Sequence, residues 1–128
     1  MKLLLDTHTF LWFLADDPAL SSNARTLIEE PENDRWLSLA RLWEIAIKAS
    51  LGKLEIAGSF EEFIVRQFLQ NDVAIFEITL THLEKITTLP FHHRDPFDRL
   101  IVAQSLVDRI PIVSVDTKLD EYGVQRLW

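Results

Sequence analysis

Two stretches decide the fold: Lys2-Leu3-Leu4-Leu5 running into Asp6, and Ile110-Pro111-Ile112-Val113-Ser114-Val115 running into Asp116. Both are continuous apolar runs, not alternations, which is the pattern of parallel strands covered on both faces. Arg35–Leu39 and Asp72–Phe76 read as two further strands, bounded by polar or turn-forming residues and each followed by a helical pattern. Helical periodicity predicts helices at His8–Ala15, Ser21–Glu30, Ala40–Leu51, Phe60–Gln70, Thr81–Leu89, Pro96–Asp108 and, briefly, Thr117–Tyr122. Start signals support them: Ser21 or Ser22 can cap the second, Ser59 with Glu62 spells a capping box, and Asp95-Pro96 sets a cap before proline at the first helical position. Gly52 and Gly123 stand where helices should stop. This alternation predicts an α/β fold, a three-layer α/β/α sandwich around a mostly parallel sheet.

The chain of 128 residues, 48% hydrophobic and 26% charged, has the arithmetic of a single domain spanning residues 1–128. With no cysteine, a disulfide framework and a thiolate zinc site are both excluded, so any metal must be held by oxygen or imidazole. The longest apolar stretch, Phe10–Ala15, falls far short of the ~20 residues a membrane span needs. Asp6 and His8 interrupt the apolar run after Met1-Lys2, which counts against a secretory signal, and a cytoplasmic protein is expected. The net charge of −7 argues against nucleic-acid binding through a broad basic surface. It does not argue against a nuclease, whose metal-binding carboxylates add to such a count.

In open parallel sheets, ligands gather beyond the carboxyl ends of the strands at a topological switch point, and both Asp6 and Asp116 stand at strand ends. On the helix after the second strand, Arg41, Glu44 and Lys48 share one narrow polar stripe while Leu42, Trp43, Ile45, Ala46, Ile47 and Ala49 cover most of the remainder. The stripe either lines a cleft or is an exposed Glu44–Lys48 pair. The run His92-His93-Arg94-Asp95-Pro96-Phe97-Asp98-Arg99 is the densest in reactive side chains. Asp95 is explained by capping; Asp98 shares a polar arc with Ser105 and Arg109, which is compatible with simple solvent exposure. Asp6 and Asp116 also fit helix caps. Taken together, however, these acids exceed what capping requires. Like charges gathered in one cleft need compensating cations, and oxygen-only ligands suit Mg²⁺ or Mn²⁺. A zinc site from His92, His93 and Asp95 is the rival arrangement, disfavoured because adjacent histidines point apart.

Leu4-Leu5-Asp6-Thr7-His8, Leu42-Trp43-Glu44-Ile45-Ala46-Ile47-Lys48, His93-Arg94-Asp95-Pro96-Phe97-Asp98-Arg99 with Ala103-Gln104, and Ser114-Val115-Asp116 occur in one order along the chain. In this ordered set the chain resembles PIN domains, specifically the VapC-type toxin ribonucleases of type II toxin–antitoxin systems, over essentially its whole length. The resemblance implies that Asp6, Glu44, Asp98 and Asp116 coordinate one or two Mg²⁺ or Mn²⁺ ions, with Asp95 a supporting carboxylate and Thr7 and Ser38 supporting hydroxyls. It implies a metal-dependent endoribonuclease that attacks RNA phosphodiesters with metal-activated water, leaving a 5′-phosphate and a 3′-hydroxyl. It further implies a VapB-type antitoxin as partner. Arg41 departs from the pattern, since relatives often carry a small hydroxyl residue there.

The run Phe10-Leu11-Trp12-Phe13-Leu14 exceeds what one helix face needs, so a homodimer or an antitoxin contact is expected to cover part of it. Two other functions share these features: a metal-dependent phosphohydrolase acting on DNA or a small phosphoester, and a non-catalytic PIN-fold binding module. Matched RNA and DNA substrates separate the first, and an Asp98→Asn variant the second.

Overall fold

A computed structural model describes all residues, 1–128. Five strands form one sheet: β1 (Lys2–Leu5), β2 (Asp34–Ser38), β3 (Val73–Phe76), β4 (Ile112–Val113) and β5 (Arg126–Leu127). Their order is β3-β2-β1-β4-β5, and every neighbouring pair is parallel. The helices are α1 (Thr7–Leu14), α2 (Ser22–Glu29), α3 (Leu39–Ser50), α4 (Phe60–Asn71), α5 (Leu80–Ile86) and α6 (Pro96–Asp108), with a 3-10 helix at Thr117–Tyr122.

The strand β1 is buried on both faces, as its unbroken leucines require. Leu3 and Leu5 join a cluster with Phe10, Ile28, Leu42 and Ile64 from α1 to α4. Leu4 points the other way, into a cluster with Ile101, Val102, Leu119 and Tyr122 from α6 and the 3-10 helix. Residues Ile112 and Val113 of β4 divide between the same two cores. This yields the α/β/α sandwich expected from the sequence, with a wholly parallel sheet.

One expectation needs correction and two features add to it. The predicted strand Ile110–Val115 is regular over Ile112–Val113 alone: Pro111 accepts from Leu4 N but has no amide to donate, and Ser114 N makes the last bond across to Leu127 O before the chain turns to Asp116. The strand β5 is legible nowhere in the sequence, being two half-buried residues whose neighbour Gln125 accepts from Ile112 N. The strand β3 lies at the edge of the sheet, with Ile75 44% exposed.

The helix starts follow the sequence closely. Ser21, Ser38, Ser59 and Asp95 each cap a helix with a side-chain oxygen, worth about 1 kcal/mol apiece. Ser59 accepts from Glu62 N as expected, while a full capping box forms instead at Thr79 and His82. Helix α4 stops at Asp72 and α6 at Arg109, each in the left-handed conformation without a glycine, and β3 and Ile110 follow at once. The apolar run in α1 is taken up in part by its own chain. Phe10 is fully buried, Leu11 to Leu14 pack half-buried on the same core, and the Trp12 ring lies 6.0 Å from that of Trp128.

Candidate active site

The chain fills one side of the sheet with β2 and β3 before crossing to β4 and β5, so the strand order switches between β1 and β4. At that switch point the backbone leaves β1 at Asp6 and leaves β4 through Ser114 towards Asp116. Both carboxylates are locked by backbone amides. Asp6 Oδ1 accepts from Thr7 N at 2.9 Å, and Asp116 Oδ1 from Lys118 N at 3.0 Å. Ser114 ties the two ends together: its hydroxyl donates to Asp6 Oδ2 at 2.6 Å and accepts from Asp116 N at 3.1 Å.

Helix α3 brings Glu44 to the same place, and α6 brings Asp98. Asp6, Thr7, Arg41, Glu44, Asp95, Asp98 and Asp116, with His8 and Val115, line one cavity of about 280 Å³. The four acids singled out in the sequence therefore meet. Asp98 does not simply face solvent, because α3 packs across its helix and supplies Arg41. The polar stripe of α3 lines the cleft, although Trp43 and Ile47 on the same helix are exposed rather than covered.

Arg41 is the centre of this arrangement. Its side chain is 2% exposed, and its guanidinium lies 2.6 Å from Asp6 Oδ1, 2.9 Å from Glu44 Oε1 and 2.9 Å from Asp98 Oδ1. Burial alone would lower its pKa, but the charges of Asp6, Asp98 and Glu44 outweigh that and hold it above its usual value. One arginine shared among three acids does not satisfy them equally. Burial pushes the Asp98 carboxyl above the usual carboxylate range, the Asp95 and Asp6 charges add to this, and Arg41 opposes it without cancelling it.

The supporting residues divide. Thr7 Oγ1 donates to Glu44 Oε1 at 2.7 Å, pinning α3 to the start of α1. Asp95 lines the cavity rim while accepting from Phe97 N. Ser38, by contrast, is wholly buried, accepts from Ala40 N and bonds to none of the acids, so in this structure it is the cap of α3.

His93 does not join His92 in a zinc set. His92 pairs with Glu121, whereas His93 turns the other way, to Asp116 and Tyr122. An ionised carboxylate only accepts, so His93 Nε2 donates to Asp116 Oδ2 at 2.7 Å. In the neutral imidazole, Nδ1 then accepts from Tyr122 O–H, whose oxygen accepts from His93 N. Burial works to raise the Asp116 pKa, but the hydrogen bonds from His93 and the Lys118 amide, with the Lys118 charge, outweigh it, and the carboxyl is lowered. Sequence reasoning assigned no role to Ser114 or Tyr122. Ser114 carried a usable signal, a hydroxyl at a strand end two residues before an acid.

Four carboxylates with one buried guanidinium among them leave the cluster short of positive charge. An oxygen-only donor set in that condition fits a hard divalent cation such as Mg²⁺ or Mn²⁺ in kind. Three of the acids nevertheless close on Arg41, and no three His, Asp or Glu side chains are arranged around a common point of their own.

Residues 3–125 match the family described as PIN domain. Among solved structures, the chain is similar to VapBC2 from Rickettsia felis bound to a DNA fragment from their promoter, with 14% identity, a TM-score of 0.74, and 99% of this chain and 98% of that one covered. It is also similar to VapBC-1 from nontypeable Haemophilus influenzae, at 16% identity and a TM-score of 0.66 over 99% and 97% of the two chains. A toxin–antitoxin complex from Klebsiella pneumoniae matches at 19% identity and a TM-score of 0.58, over 91% and 88%. At these identities the likeness is one of fold. No curated protein matches the chain.

Proposed function

The chain belongs to the PIN domain family, whose members are generally nucleases, and from that premise we propose that it is a metal-dependent endoribonuclease, the toxin of a VapBC-type toxin–antitoxin pair. The observation that carries this reading is the meeting of Asp6, Glu44, Asp98 and Asp116 in one cavity at the switch point of the sheet. These acids hold one or two divalent cations, Mg²⁺ or Mn²⁺. A cation bound there supplies the Lewis acidity that activates water and offsets charge on the phosphate oxygens during phosphodiester hydrolysis. The chain's own part is to hold the acids in place: Ser114 fixes Asp6 relative to Asp116, Thr7 fixes Glu44, and His93 orients Asp116.

The partner reading rests on two supports. The similar solved structures include VapBC proteins and a toxin–antitoxin complex. In addition, α3, α4 and β3 of this chain frame an open apolar groove of about 560 Å³, with Trp43 63%, Val65 52% and Ile75 44% exposed. A VapB-type antitoxin covers that groove, and its basic residues answer the net charge of −7. A homodimer is proposed as well, through the exposed Leu80 and Leu83 of α5. No helix is long and apolar enough to cross a membrane, and on this reading the protein acts in the cytoplasm, where RNA is available.

The test is incubation of the antitoxin-free protein with total RNA in Mg²⁺ or Mn²⁺, beside EDTA and Asp98→Asn controls, with cut sites mapped by end sequencing. Discrete cuts that need the metal and vanish in the variant support the reading. Cleavage of matched DNA in preference to RNA replaces it with a different phosphohydrolase, and the absence of cleavage by folded, metal-bound protein replaces it with a binding module.

A further inference from the structure

We infer that Arg41 is a permanent cation of the active site, taking the place of one metal ion among Asp6, Glu44 and Asp98, so that the chain binds a single divalent ion, on the Asp116 side. This rests on the metal-dependent reading above, settles the ion count that it leaves open and removes Glu44 from the ligands it names.

Three observations lead there. First, the guanidinium occupies the point where the three carboxylates converge, taking one oxygen from each within 2.9 Å. A divalent ion placed at that point would need the same oxygens. Second, Arg41 is held inside the protein. Its side chain is 2% exposed, and its Nε is buried without an acceptor, a cost the three ion pairs have to outweigh. An arginine also keeps its charge at any pH a protein survives, so the position is filled whether or not metal is present. Third, the arginine's grip is uneven. Glu44 Oε1 accepts from both Thr7 and Arg41, and the Lys48 ammonium 3.6 Å from Oε2 opposes a second cation there. Asp98 Oδ2 is unpartnered, and the Asp116 oxygens, hydrogen-bonded to His93 and the Lys118 amide, each keep a second lone pair and have no cationic side chain of Arg41 or Lys48 against them, so an ion clear of both cations is held there.

It follows that Glu44 is a positioning residue for Arg41 and not a metal ligand in this chain. The guanidinium also explains how Asp6, Glu44 and Asp98 pack together before any ion arrives.

Mn²⁺ titration followed by the EPR signal of free Mn²⁺ tests this on the wild type and on Arg41→Ser, Arg41→Gln, Glu44→Gln and Asp98→Asn. The wild type is expected to bind one Mn²⁺ per chain. Removing the guanidinium is expected to add a second Mn²⁺, to lower the melting temperature without metal and to enlarge the rise that Mn²⁺ produces. Glu44→Gln keeps an acceptor for Arg41 and leaves Mn²⁺ affinity within about threefold, whereas Asp98→Asn weakens it by about tenfold or more. Two ions in the wild type overturn the inference, as does an unchanged count in a folded Arg41 variant. If neither Arg41 variant folds, Glu44→Gln decides alone, and a tenfold loss there overturns it. Failure of the wild type to bind any Mn²⁺ defeats instead the metal-dependent reading on which the inference stands.

Discussion

His93 donates from Nε2 to Asp116 Oδ2 at 2.7 Å, and Tyr122 holds the far side of the imidazole at 3.0 Å. The 3-10 helix that carries Tyr122 is thereby linked to the mouth of the active site through one ring. Removing the ring frees Asp116 to rotate, so His93→Ala is expected to reduce RNA cleavage by about 10–100-fold. His93→Gln, whose side-chain amide can donate in the place of Nε2, is expected to recover much of that loss. Steady-state cleavage assays on both variants decide it; equal activities would remove the positioning role.

Asp98→Asn is expected to abolish detectable cleavage while leaving the fold intact. The amide oxygen still accepts from Arg41, and the variant no longer has a buried carboxylate to ionise. The sign follows from the raised pKa. Asp98 contributes stability that is fully present below its unfolded value of 3.8 and is lost as pH rises through the higher folded value. Melting curves without metal should therefore show the wild type losing ground to Asp98→Asn as pH is raised from about 4 towards neutrality.

Asp116 titrates in the opposite sense. Its folded pKa is lowered, so its contribution is present above 3.8 and is lost as pH falls below it. Asp116→Asn is expected to be less stable than the wild type at neutral pH, with the gap closing in acid. Parallel denaturant melts at neutral pH and near pH 3 measure this, and a gap that widens in acid would falsify it.

Arg35 supplies a control away from the cleft. This buried arginine donates to Ile28 O at 2.7 Å and to the Asn71 and Asp72 carbonyls, joining the end of α2 to the end of α4. Arg35→Ala is expected to cost about 2–4 kcal/mol of stability by orphaning those carbonyls. Cleavage per folded molecule should not change, as circular dichroism melts and an assay at low temperature would show.

Val65 probes the groove. Val65→Glu on the exposed face of α4 is expected to leave cleavage intact and to weaken antitoxin binding by about tenfold or more, a loss readable by calorimetry with the purified partner. Unaltered affinity would move the antitoxin contact elsewhere.

Much of this molecule is legible in the sequence because its central strand is unambiguous. Leu3, Leu4 and Leu5 have no polar alternation to suggest an exposed face, and the acid that follows them falls at the strand end. The capping residues are equally plain, since Ser, Thr and Asp at helix starts act through local geometry. What escaped depends on tertiary packing. Asp98 could not be told from a solvent-facing acid until α3 was laid against α6. The burial of Arg41 runs against its composition class, and only the three acids around it explain that burial. The exposure of Trp43 reflects the open groove beside α3, which helical periodicity cannot see.

Asp6, Asp95 and Asp116 also cap the elements that follow them, whereas Asp98 caps nothing. If the chain is toxic, a culture relieved of its antitoxin will select for inactive alleles, and these acids will not be hit with equal consequence. Losses at the capping positions yield proteins that are inactive and also prone to unfolding and degradation, leaving little free chain to bind a partner. A lesion at Asp98 yields an inactive protein that still folds. Such an allele would persist at full abundance and titrate antitoxin away from intact copies, so one silenced gene would alter the behaviour of its active neighbours.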